Sequence, residues 1–472
     1  MEKKIRCRMA PAPTGFLHIG TAHMTLFNWL FARHHQGTFI LRIDDSDPVR
    51  SKEEYTQNII EGLKWLGIDW DEGPDIGGPS GPYKQSERRE IYKPYLERLF
   101  QKNAVYRCYC TPEELDLERK KQQEQGEVPK YLEKCSHLTV EQEQQFLIQG
   151  RKPAIRFRNP GKVVEFEDMV RGRIKVNMSQ FGDFLIARSD GSPLLNFAVI
   201  IDDIEMKITH VIRGEDFLNA TPYQILIYDA LGVPPPKIAN LSFIYAPDHT
   251  KLSKRHGATA ITQYRDMGYL PEAMVNFLAL LGWNPGDERE FFTKEQLIAQ
   301  FDFDKVQKGA PVFNIKKLNW FNSHYIKQKT DEELADLLKP FASDKATKDQ
   351  LAKIAPLIKE RIEKLSDFAT LCGFFWERPK PSVDQFASPM VKLQIDQAVK
   401  ALEALSTWNV GAINGALQPL PEKNGWKTAD FFMTLRLAIT GNKVTPPLSE
   451  SLGILGKEET LSRLRLASSE LS

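Results

Sequence analysis

The sequence contains little cysteine, no long apolar run and almost no excess of charge of either sign. Its 472 residues include five cysteines, an odd number, of which three lie between positions 108 and 135. That distribution argues against a disulfide framework in a chain of this size. No apolar run approaches the roughly 20 residues of a membrane-spanning helix, and residues 1–8 lack the apolar core of a signal peptide. We therefore expect a cytoplasmic protein that does not enter a membrane.

The composition, 42% hydrophobic and 26% charged, is that of an ordinary globular protein. Its length exceeds what one hydrophobic core usually organises, which predicts two to four domains. The net charge of +1 neither requires nor excludes a nucleic-acid partner, because binding follows the charge of the contacting face. No segment has the pattern of a dedicated dimer seam, so we expect a monomer.

The chain opens with the pattern of a βαβ unit. A strand is predicted at Ile5–Ala10, a helix at Thr21–His35 with Gly37 just beyond its end, and a second strand at Phe39–Ile43. This order is typical of the opening of a doubly wound, nucleotide-binding sheet.

The next part of the chain predicts an insertion in that sheet. Residues 87–182 contain a cysteine cluster, several short β-like pieces and a polar helical run at Glu113–Gln125. An α/β alternation then returns at 184–187, 196–201 and 208–212, so the second half of the sheet is predicted to start near residue 184.

The remainder of the chain reads as helix almost to its end. Beyond Leu270, helices are predicted at Pro271–Leu281 and Asp349–Cys372. The proline-rich segment Arg378–Ser388 is predicted to link two helical bundles.

The first motif with chemical meaning is residues 13–21, PTGFLHIGT, between a predicted strand and a predicted helix. Free backbone N–H groups and the positive end of a helix dipole face an anion bound at such a position. Gly20 allows close approach of a nucleotide, and His18 can donate to charge that develops at the α-phosphate. A turn that happens to contain a histidine is the alternative, and this motif alone does not separate the two.

The second motif is residues 251–257, KLSKRHG, with three cations in five residues beside Ser253 and Gly257. Cations on a mobile loop can close over pyrophosphate and stabilise it as negative charge shifts onto the leaving group. Taken alone, a solvated basic turn is the commoner origin of such a run.

In their order and separation the two motifs resemble the signatures of class I aminoacyl-tRNA synthetases, and in detail those of bacterial glutamyl-tRNA synthetases. The resemblance extends over essentially the whole chain. The other segments that carry it are 27–33 (FNWLFAR), 63–67 (LKWLG), 71–74 (DEGP), 85–88 (QSER), 211–216 (VIRGED), 437–441 (LAITG) and 455–458 (LGKE).

The resemblance implies an α/β fold with a split, doubly wound Rossmann-type parallel-sheet catalytic domain, an α+β zinc-bearing insertion and a mostly α-helical C-terminal anticodon-binding half. The predicted segments are the first catalytic half at 1–86, an insertion for the tRNA acceptor end at 87–183, the second catalytic half at 184–245, the signature loop with a stem-contact helical domain at 246–325, and the anticodon-binding domain at 326–472.

The implied reaction has two steps. Glutamate attacks the α-phosphate of Mg²⁺-ATP to give glutamyl-adenylate, and the terminal ribose hydroxyl of tRNA(Glu) then takes the acyl group. Such chemistry rests on positioning and electrostatics, without a covalent enzyme intermediate. By motif match, the catalytic residues are His18, Lys251 and Lys254, and the residues that bind ATP are Thr14, Gly15, His18, Gly20 and Lys254.

The same resemblance implies an amino-acid site. Its expected residues are Arg8, Ala10, Ala12, Asp44, Leu195 and Arg213. Arg8 and Arg213 would hold substrate carboxylates, a task that suits the planar guanidinium group. Surface salt bridges are the alternative for either arginine.

A third motif is Cys108-x-Cys110, then 24 residues, then Cys135-x-His137. Three thiolates and one imidazole complete the closed tetrahedral ligand set of a structural zinc site. Reduced buried cysteines beside an unrelated histidine are the alternative, which the shared spacing of the two halves disfavours. The pattern also resembles the zinc-binding form of the family's acceptor-end insertion, so we predict a structural Zn²⁺ besides ATP and Mg²⁺.

A fourth feature is residues 305–329, with six lysines interleaved with aromatic residues. This mixture suits phosphate contacts and base stacking, whereas for Phe313 and Trp320 we favour core packing. The family resemblance makes Lys316 and Lys317 candidate tRNA contacts. Arg361 falls where the family can read the last anticodon base, which favours tRNA(Glu), with tRNA(Gln) as the alternative substrate.

Three positions near the expected amino-acid site depart from the family pattern. Ala12 stands where serine is usual, Asp44 where glutamate is usual, and Leu195 where a tyrosine would contact substrate. Two lost hydroxyls and one shortened carboxylate predict weaker or altered recognition of glutamate, unless nearby groups or water fill the gaps.

Two alternatives to a glutamate-specific ligase follow from these observations. One is a diverged enzyme with another amino acid or tRNA, although the helical C-terminal third speaks against the glutamine-specific relatives, which use β-barrels there. The other is a non-catalytic tRNA-binding paralogue, against which the intact His18, Lys251 and Lys254 argue.

Overall fold

The computed structural model describes residues 4–379, 386 and 390–470, apart from the side chain of Lys254. Most of the proline-rich link predicted at 378–388 lies outside these residues. The chain separates into two compact units, one of Met1–Gln263 with Met274–Asn314 and one of Tyr264–Ala273 with Ile315–Ser472. None of the helices in the described ranges is long and apolar enough to cross a membrane.

The strands are β1 (Arg6–Met9), β2 (Thr38–Leu41), β3 (Val105–Cys108), β4 (Ala154–Phe157), β5 (Val163–Asp168), β6 (Gly172–Asn177), β7 (Phe184–Ala187), β8 (His210–Gly214) and β9 (Lys237–Leu241). The helices are α1 (Ile19–His34), α2 (Glu53–Trp65), α3 (Arg89–Gln101), α4 (Pro112–Glu124), α5 (Val140–Ile148), α6 (Leu195–Glu205), α7 (Thr221–Leu231), α8 (Ile261–Asp266), α9 (Pro271–Ala279), α10 (Lys294–Gln300), α11 (Ile315–Gln328), α12 (Asp331–Leu338), α13 (Lys348–Ile358), α14 (Asp367–Cys372), α15 (Val391–Glu403), α16 (Val410–Leu417), α17 (Pro419–Asn424), α18 (Thr428–Thr440), α19 (Leu448–Leu455) and α20 (Lys457–Glu470).

A six-stranded sheet in the order β2-β1-β8-β9-β5-β6 forms the centre of the first unit. β1 pairs in parallel with β2 on one side and with β8 on the other, and β8, β9 and β5 continue in parallel. The strand order therefore reverses between β1 and β8. In open α/β sheets, ligands bind outside the carboxyl ends of the strands at such a switch point. The predicted fold class is confirmed.

The path of the chain between the two halves of this sheet differs from the prediction. Strand β7, expected to resume the nucleotide-binding sheet, pairs instead with β4 in a separate three-stranded sheet, β3-β4-β7. The hairpin of β5 and β6, which falls within the predicted insertion, extends the six-stranded sheet through β9. Pairing partners depend on tertiary packing, which strand patterns alone do not specify.

Helix α1 fixes the geometry at the switch point. It begins at Ile19, two residues before the predicted start, and is largely buried against the sheet. Gly37, predicted just beyond its end, lies where a Cβ would come within 2.7 Å of the carbonyl oxygen of Ile5. Glycine is therefore needed here because two backbone segments approach closely, at the turn that returns the chain from α1 to β2.

The second unit is helical, as predicted, with a core that includes Ile395, Leu435 and Leu464. The single helix predicted at Asp349–Cys372 is wrong: the chain forms α13 and α14 with a break between them. In that break the N–H of Leu365 donates to the carbonyl of Gly268 at 3.0 Å, so the backbone is satisfied outside a helix.

Candidate active site

A cavity of about 230 Å³ lies at the carboxyl ends of β1 and β8 in the first unit. The structure brings all six residues predicted for the amino-acid site to its walls: Arg8, Ala10, Ala12, Asp44, Leu195 and Arg213. They come from β1 and its loop, the segment after β2, the start of α6, and β8. Its place at the switch point of the sheet makes this cavity the candidate substrate site.

Arg213 is the buried cation of this cavity, with 7% of its surface exposed. Its guanidinium donates to Gln224 Oε1 and Thr221 Oγ1, both at 2.7 Å, and to Asn240 Oδ1 at 3.4 Å. These partners are neutral, and no carboxylate in the described part of the chain forms an ion pair with it. Burial, followed by the charge of Arg8, lowers the pKa of Arg213 to about 10, so the group stays charged at neutral pH.

Arg8 and Asp44 are held differently, because each is part of a buried ion pair. Arg8 donates from Nε and Nη2 to the two oxygens of Asp203, at 3.0 and 3.3 Å. Asp44 accepts from Arg42, with Nε to Oδ1 at 2.7 Å and Nη2 to Oδ2 at 3.3 Å. Burial raises the pKa of Asp44, and the positive charge of Arg42 opposes that shift.

The rest of the cavity wall is mostly apolar. Leu195, at the first position of α6, is 45% exposed, and Met24, Ile212 and Phe217 line the same space. Ala12 contributes a methyl group where a hydroxyl was expected from the family pattern. The charged side chains of this cavity can therefore bind the charged groups of a ligand, while its apolar wall can pack against the ligand's methylene groups.

His18 caps the N-terminus of α1 next to this cavity. Its Nδ1 accepts from the backbone N–H of Gly20 at 3.1 Å, which in the neutral ring leaves the proton on Nε2. Burial and then the charge of Lys251 lower the pKa of His18. The predicted ATP residues Thr14, Gly15 and Gly20 lie on the same loop and first turn, and Gly15 also lines the cavity.

The segment just after the second signature makes backbone contacts with the first one. The N–H of Ile19 donates to the carbonyl of Thr259 at 2.9 Å, and His18 pairs with Ala260 as an isolated bridge. Lys251 Nζ lies 3.6 Å from the centre of the Phe243 ring. Lys254 begins a single 3-10 turn, and its side chain lies outside the described atoms.

Three of the four predicted metal ligands form a cluster. The sulfurs of Cys108, Cys110 and Cys135 all lie within 4.8 Å of one another, whereas His137 is exposed and not part of the group. The hydroxyl of Tyr131 takes the position next to them, 3.5 Å from Cys108 Sγ and 3.6 Å from Cys110 Sγ. Sequence reasoning missed Tyr131, although its place four residues before Cys135 resembles the spacing of a chelating pair.

The chemistry of the cluster fits a cation bound by thiolates. Arg156 Nε donates to Cys108 Sγ at 3.2 Å, and the backbone N–H of Tyr109 donates to Cys135 Sγ at 3.4 Å. Donors aimed at sulfur favour the deprotonated form that binds metal. The fourth ligand expected from the sequence, His137, is not brought to this position.

The predicted tRNA contacts lie on the second unit. Lys316 and Lys317 are exposed on the first turn of α11, and Arg361 is exposed just after α13. The aromatic predictions divide: Phe313 is buried as expected, but the prediction for Trp320 is wrong, because it is 46% exposed. Trp320 lies on the outer side of α11, whose inner side carries Leu318 and Phe321.

Comparison with known proteins agrees with this architecture. The family description "tRNA synthetases class I (E and Q), catalytic domain" matches residues 4–320, and "Anticodon binding domain" matches residues 333–468. The chain is 45% identical to the glutamate–tRNA ligase of Symbiobacterium thermophilum, over 98% of this chain and 99% of that protein. It is 44% identical to glutamate–tRNA ligase 2 of Caldanaerobacter subterraneus subsp. tengcongensis, over 98% of each chain.

Solved structures give the same result. A glutamate tRNA ligase from Elizabethkingia meningosepticum, crystallised in complex with its amino acid, superposes with a TM-score of 0.89 at 34% identity over the full length of both chains. A glutamate-tRNA synthetase from Elizabethkingia anophelis gives 0.88 at 34% identity, over 99% of this chain and 100% of that one. By sequence, fold and the site at its switch point, the chain belongs to the class I tRNA synthetases of the E and Q group and is an aminoacyl-tRNA synthetase.

Proposed function

We propose that this protein is a glutamate–tRNA ligase, which joins glutamate to tRNA(Glu) at the expense of ATP. The observation that carries the proposal is Arg213, a buried guanidinium in the substrate cavity whose hydrogen-bond partners are neutral. An uncompensated buried charge is costly, and a ligand carboxylate removes that cost. The names of the relatives and of the matching structures support the same amino acid.

The cavity supplies a binding scheme for glutamate. In this scheme Arg213 and Arg8 bind the two substrate carboxylates, and Asp44, which lines the same cavity, binds the ammonium group. Guanidinium groups match carboxylates in shape and donor geometry, which favours an acidic side chain over its amide. Ala12 and Leu195 form an apolar wall that contacts the methylene groups between the two substrate carboxylates.

ATP binds beside this cavity in our proposal, on the loop and first turn of α1. The neutral His18 ring carries its proton on Nε2, and Gly15 lies on the loop beside the helix N-terminus, whereas the N–H groups of Thr14 and Gly20 donate to Ala12 and to His18. The substrate carboxylate attacks the α-phosphorus to form the acyl–phosphate bond of the adenylate, the bond to the β-phosphate oxygen breaks, and pyrophosphate leaves; a bound Mg²⁺ would offset the charge of the phosphates. Lys251 and Lys254 stabilise the charge that builds on that leaving group.

The terminal ribose hydroxyl of tRNA then attacks the acyl carbon of the adenylate and loses its proton, an ester bond forms, the acyl–phosphate bond breaks, and AMP leaves. Lys316, Lys317 and Arg361 are the tRNA contacts that we propose on the second unit. We expect tRNA(Glu) as the substrate, with charging of tRNA(Gln) as the alternative, and a cytoplasmic monomer as the active form.

We also propose that the cysteine cluster holds a structural Zn²⁺. Cys108, Cys110 and Cys135 supply three thiolates, and Tyr131 is nearer to the fourth position than His137. A closed ligand set of this kind stabilises its fold and leaves no open position for catalysis.

The proposal is tested by ATP–pyrophosphate exchange with glutamate, glutamine and aspartate, each with and without tRNA. The Arg213→Gln variant removes the cation and keeps a shorter polar side chain, and we expect it to lower kcat/KM for glutamate by at least about 30-fold. Arg173→Gln, an exposed arginine on β6, is the matched control and should have no effect. An Arg213→Gln enzyme with unchanged kcat/KM for glutamate would contradict the proposal.

A further inference from the structure

Two charged residues outside the cavity hold two residues that line it. Arg42, just after β2, has none of its surface exposed, and Asp203, on α6, has 3% exposed. Neither lines the substrate cavity, and neither was singled out by its sequence motif. Charged side chains are rare at such buried positions unless they are paired.

These residues form a continuous chain of ion pairs between Arg8 and Asp44. Arg8 grips both oxygens of Asp203, and Arg42 Nη1 donates to Asp203 Oδ1 at 2.8 Å. Nε and Nη2 of Arg42 donate to the two oxygens of Asp44. The order Arg8–Asp203–Arg42–Asp44 therefore joins β1, α6 and the segment after β2.

The row of ion pairs leaves one guanidinium nitrogen of Arg8, which lines the cavity, outside its pairing with Asp203. Arg8 uses Nε and Nη2 for Asp203, and its Nη1 has no hydrogen-bond partner among the described residues. The two carboxylates and two guanidinium groups balance in charge. Because a buried ion without its partner is strongly unfavourable, loss of one inner member would displace both ends.

We propose that Arg42 and Asp203 are positioning residues, which fix the separation of Arg8 and Asp44 and thereby set the affinity for the amino-acid substrate. The inference rests on the proposed function only in taking an amino acid as the ligand of this cavity. Rigid supports of this kind determine how well a binding group matches its ligand, because small displacements of the contacting atoms weaken several hydrogen bonds at once.

The neighbouring Asp202 provides a matched control. It lies next to Asp203 on α6, is equally buried, and accepts from Arg88 Nε at 2.6 Å and Gln85 Nε2 at 2.8 Å. Its nearest approach to Arg42 is 3.8 Å, and its hydrogen-bond partners Gln85, Arg88 and Tyr92 do not line the substrate cavity. Asp202→Asn and Asp203→Asn thus remove the same buried charge from the same helix.

The experiment measures KM for the amino acid, KM for ATP and the melting temperature of both variants by exchange and calorimetry. We expect Asp203→Asn to raise the amino-acid KM by at least about 30-fold while the ATP KM changes less than about twofold. Asp202→Asn should lower the melting temperature and leave the amino-acid KM within about twofold. Equal effects of both variants on the amino-acid KM, or none from Asp203→Asn, would overturn the proposal.

A second variant covers the case in which Asp203→Asn does not fold. Arg42→Gln with Asp203→Asn removes one charge of each sign, so the buried balance is kept; a raised amino-acid KM supports positioning, and an unchanged one overturns it. All assays use the amino acid that the wild-type enzyme activates best. A wild type that prefers another amino acid contradicts the proposed function, while the comparison of Asp203 with Asp202 still decides this inference.

Discussion

At the scale of single residues, the substrate cavity contains two kinds of charge. Arg8 and Asp44 are each neutralised by a buried partner, whereas the hydrogen bonds from Arg213 all end on neutral side chains. Arg8 and Asp44 are held in place before a ligand binds. Arg213 lacks a charged partner, so a ligand carboxylate stabilises it most. In our proposal the preference for an acidic amino acid comes from Arg213 together with Arg8, which give the cavity two guanidinium groups for two carboxylates.

His18 provides a test of the electrostatics beside the cavity. Because burial and then the charge of Lys251 lower its pKa, the ring should titrate below the ordinary value of 6.5 and be neutral at pH 7. NMR titration of the ring protons, assigned with a His18→Gln variant, measures this. We expect Lys251→Ala to raise the pKa without reaching 6.5, since burial is the larger cause, and Lys251→Met to act likewise, whereas Lys251→Arg should leave it unchanged. A wild-type pKa above 6.5 would contradict this picture.

The apolar wall predicts how the cavity responds to restored hydroxyl groups. Ala12 and Leu195 both line it, and neither offers a hydrogen bond from its side chain. We expect Ala12→Ser combined with Leu195→Tyr to lower the KM for glutamate, because each new hydroxyl can meet a polar substrate group. Initial rates of glutamate-dependent exchange measure this. Leu195→Phe with Ala12→Ser separates the tyrosine hydroxyl from its ring, and an unchanged or higher KM in the Ser/Tyr variant would contradict the account.

At the scale of elements, the cysteine cluster shows what motif spacing can and cannot predict. The two cysteine-containing pairs are far apart in sequence, and the spacing alone predicted that their thiols would meet. In the sequence His137 completes the ligand set of a structural zinc site, but it is exposed in the turn that also contains Cys135. Side-chain direction in an irregular segment depends on backbone turns that spacing does not encode.

The cluster predicts a pattern of zinc content among three variants. Cys135→Ser should lose the metal and lower the melting temperature, because it removes a thiolate from a closed site. His137→Ala, the matched control, should retain wild-type zinc, while Tyr131→Phe should bind zinc more weakly. Elemental analysis after dialysis against a mild chelator gives the readout. Loss of zinc from His137→Ala with full retention in Tyr131→Phe would favour the ligand set expected from the sequence.

Other elements show where local patterns fail. Strand β7 has the hydrophobicity of a sheet strand, but only the packing determines which sheet it joins. Trp320 is a large aromatic residue of the kind often found in a core, yet it lies on the exposed side of α11. Which side of a helix with apolar residues on several faces is buried depends on the elements that pack against it. The βαβ opening was predictable because strand, glycine turn and helix all agree there.

At the scale of the whole molecule, motif order carried more information than composition. A net charge near zero gave no sign of a nucleic-acid partner, whereas two short motifs 233 residues apart, counted from His18 to Lys251, predicted the family that the sequence and structure comparisons support. The residues of the cavity were predictable from family resemblance. The supporting pair Arg42 and Asp203 was not, because burial and ion pairing across β1, β2 and α6 appear only in three dimensions.

The most direct test of the central claim is aminoacylation of purified tRNA(Glu) and tRNA(Gln), with glutamate, glutamine and aspartate offered in turn. We predict that glutamate is joined to tRNA(Glu) and that glutamine and aspartate are not joined to either tRNA. Transfer of glutamate mainly to tRNA(Gln), or of a different amino acid to any tRNA, would show that Ala12, Asp44 and Leu195 belong to a specialised enzyme. No transfer with any pair would contradict the account.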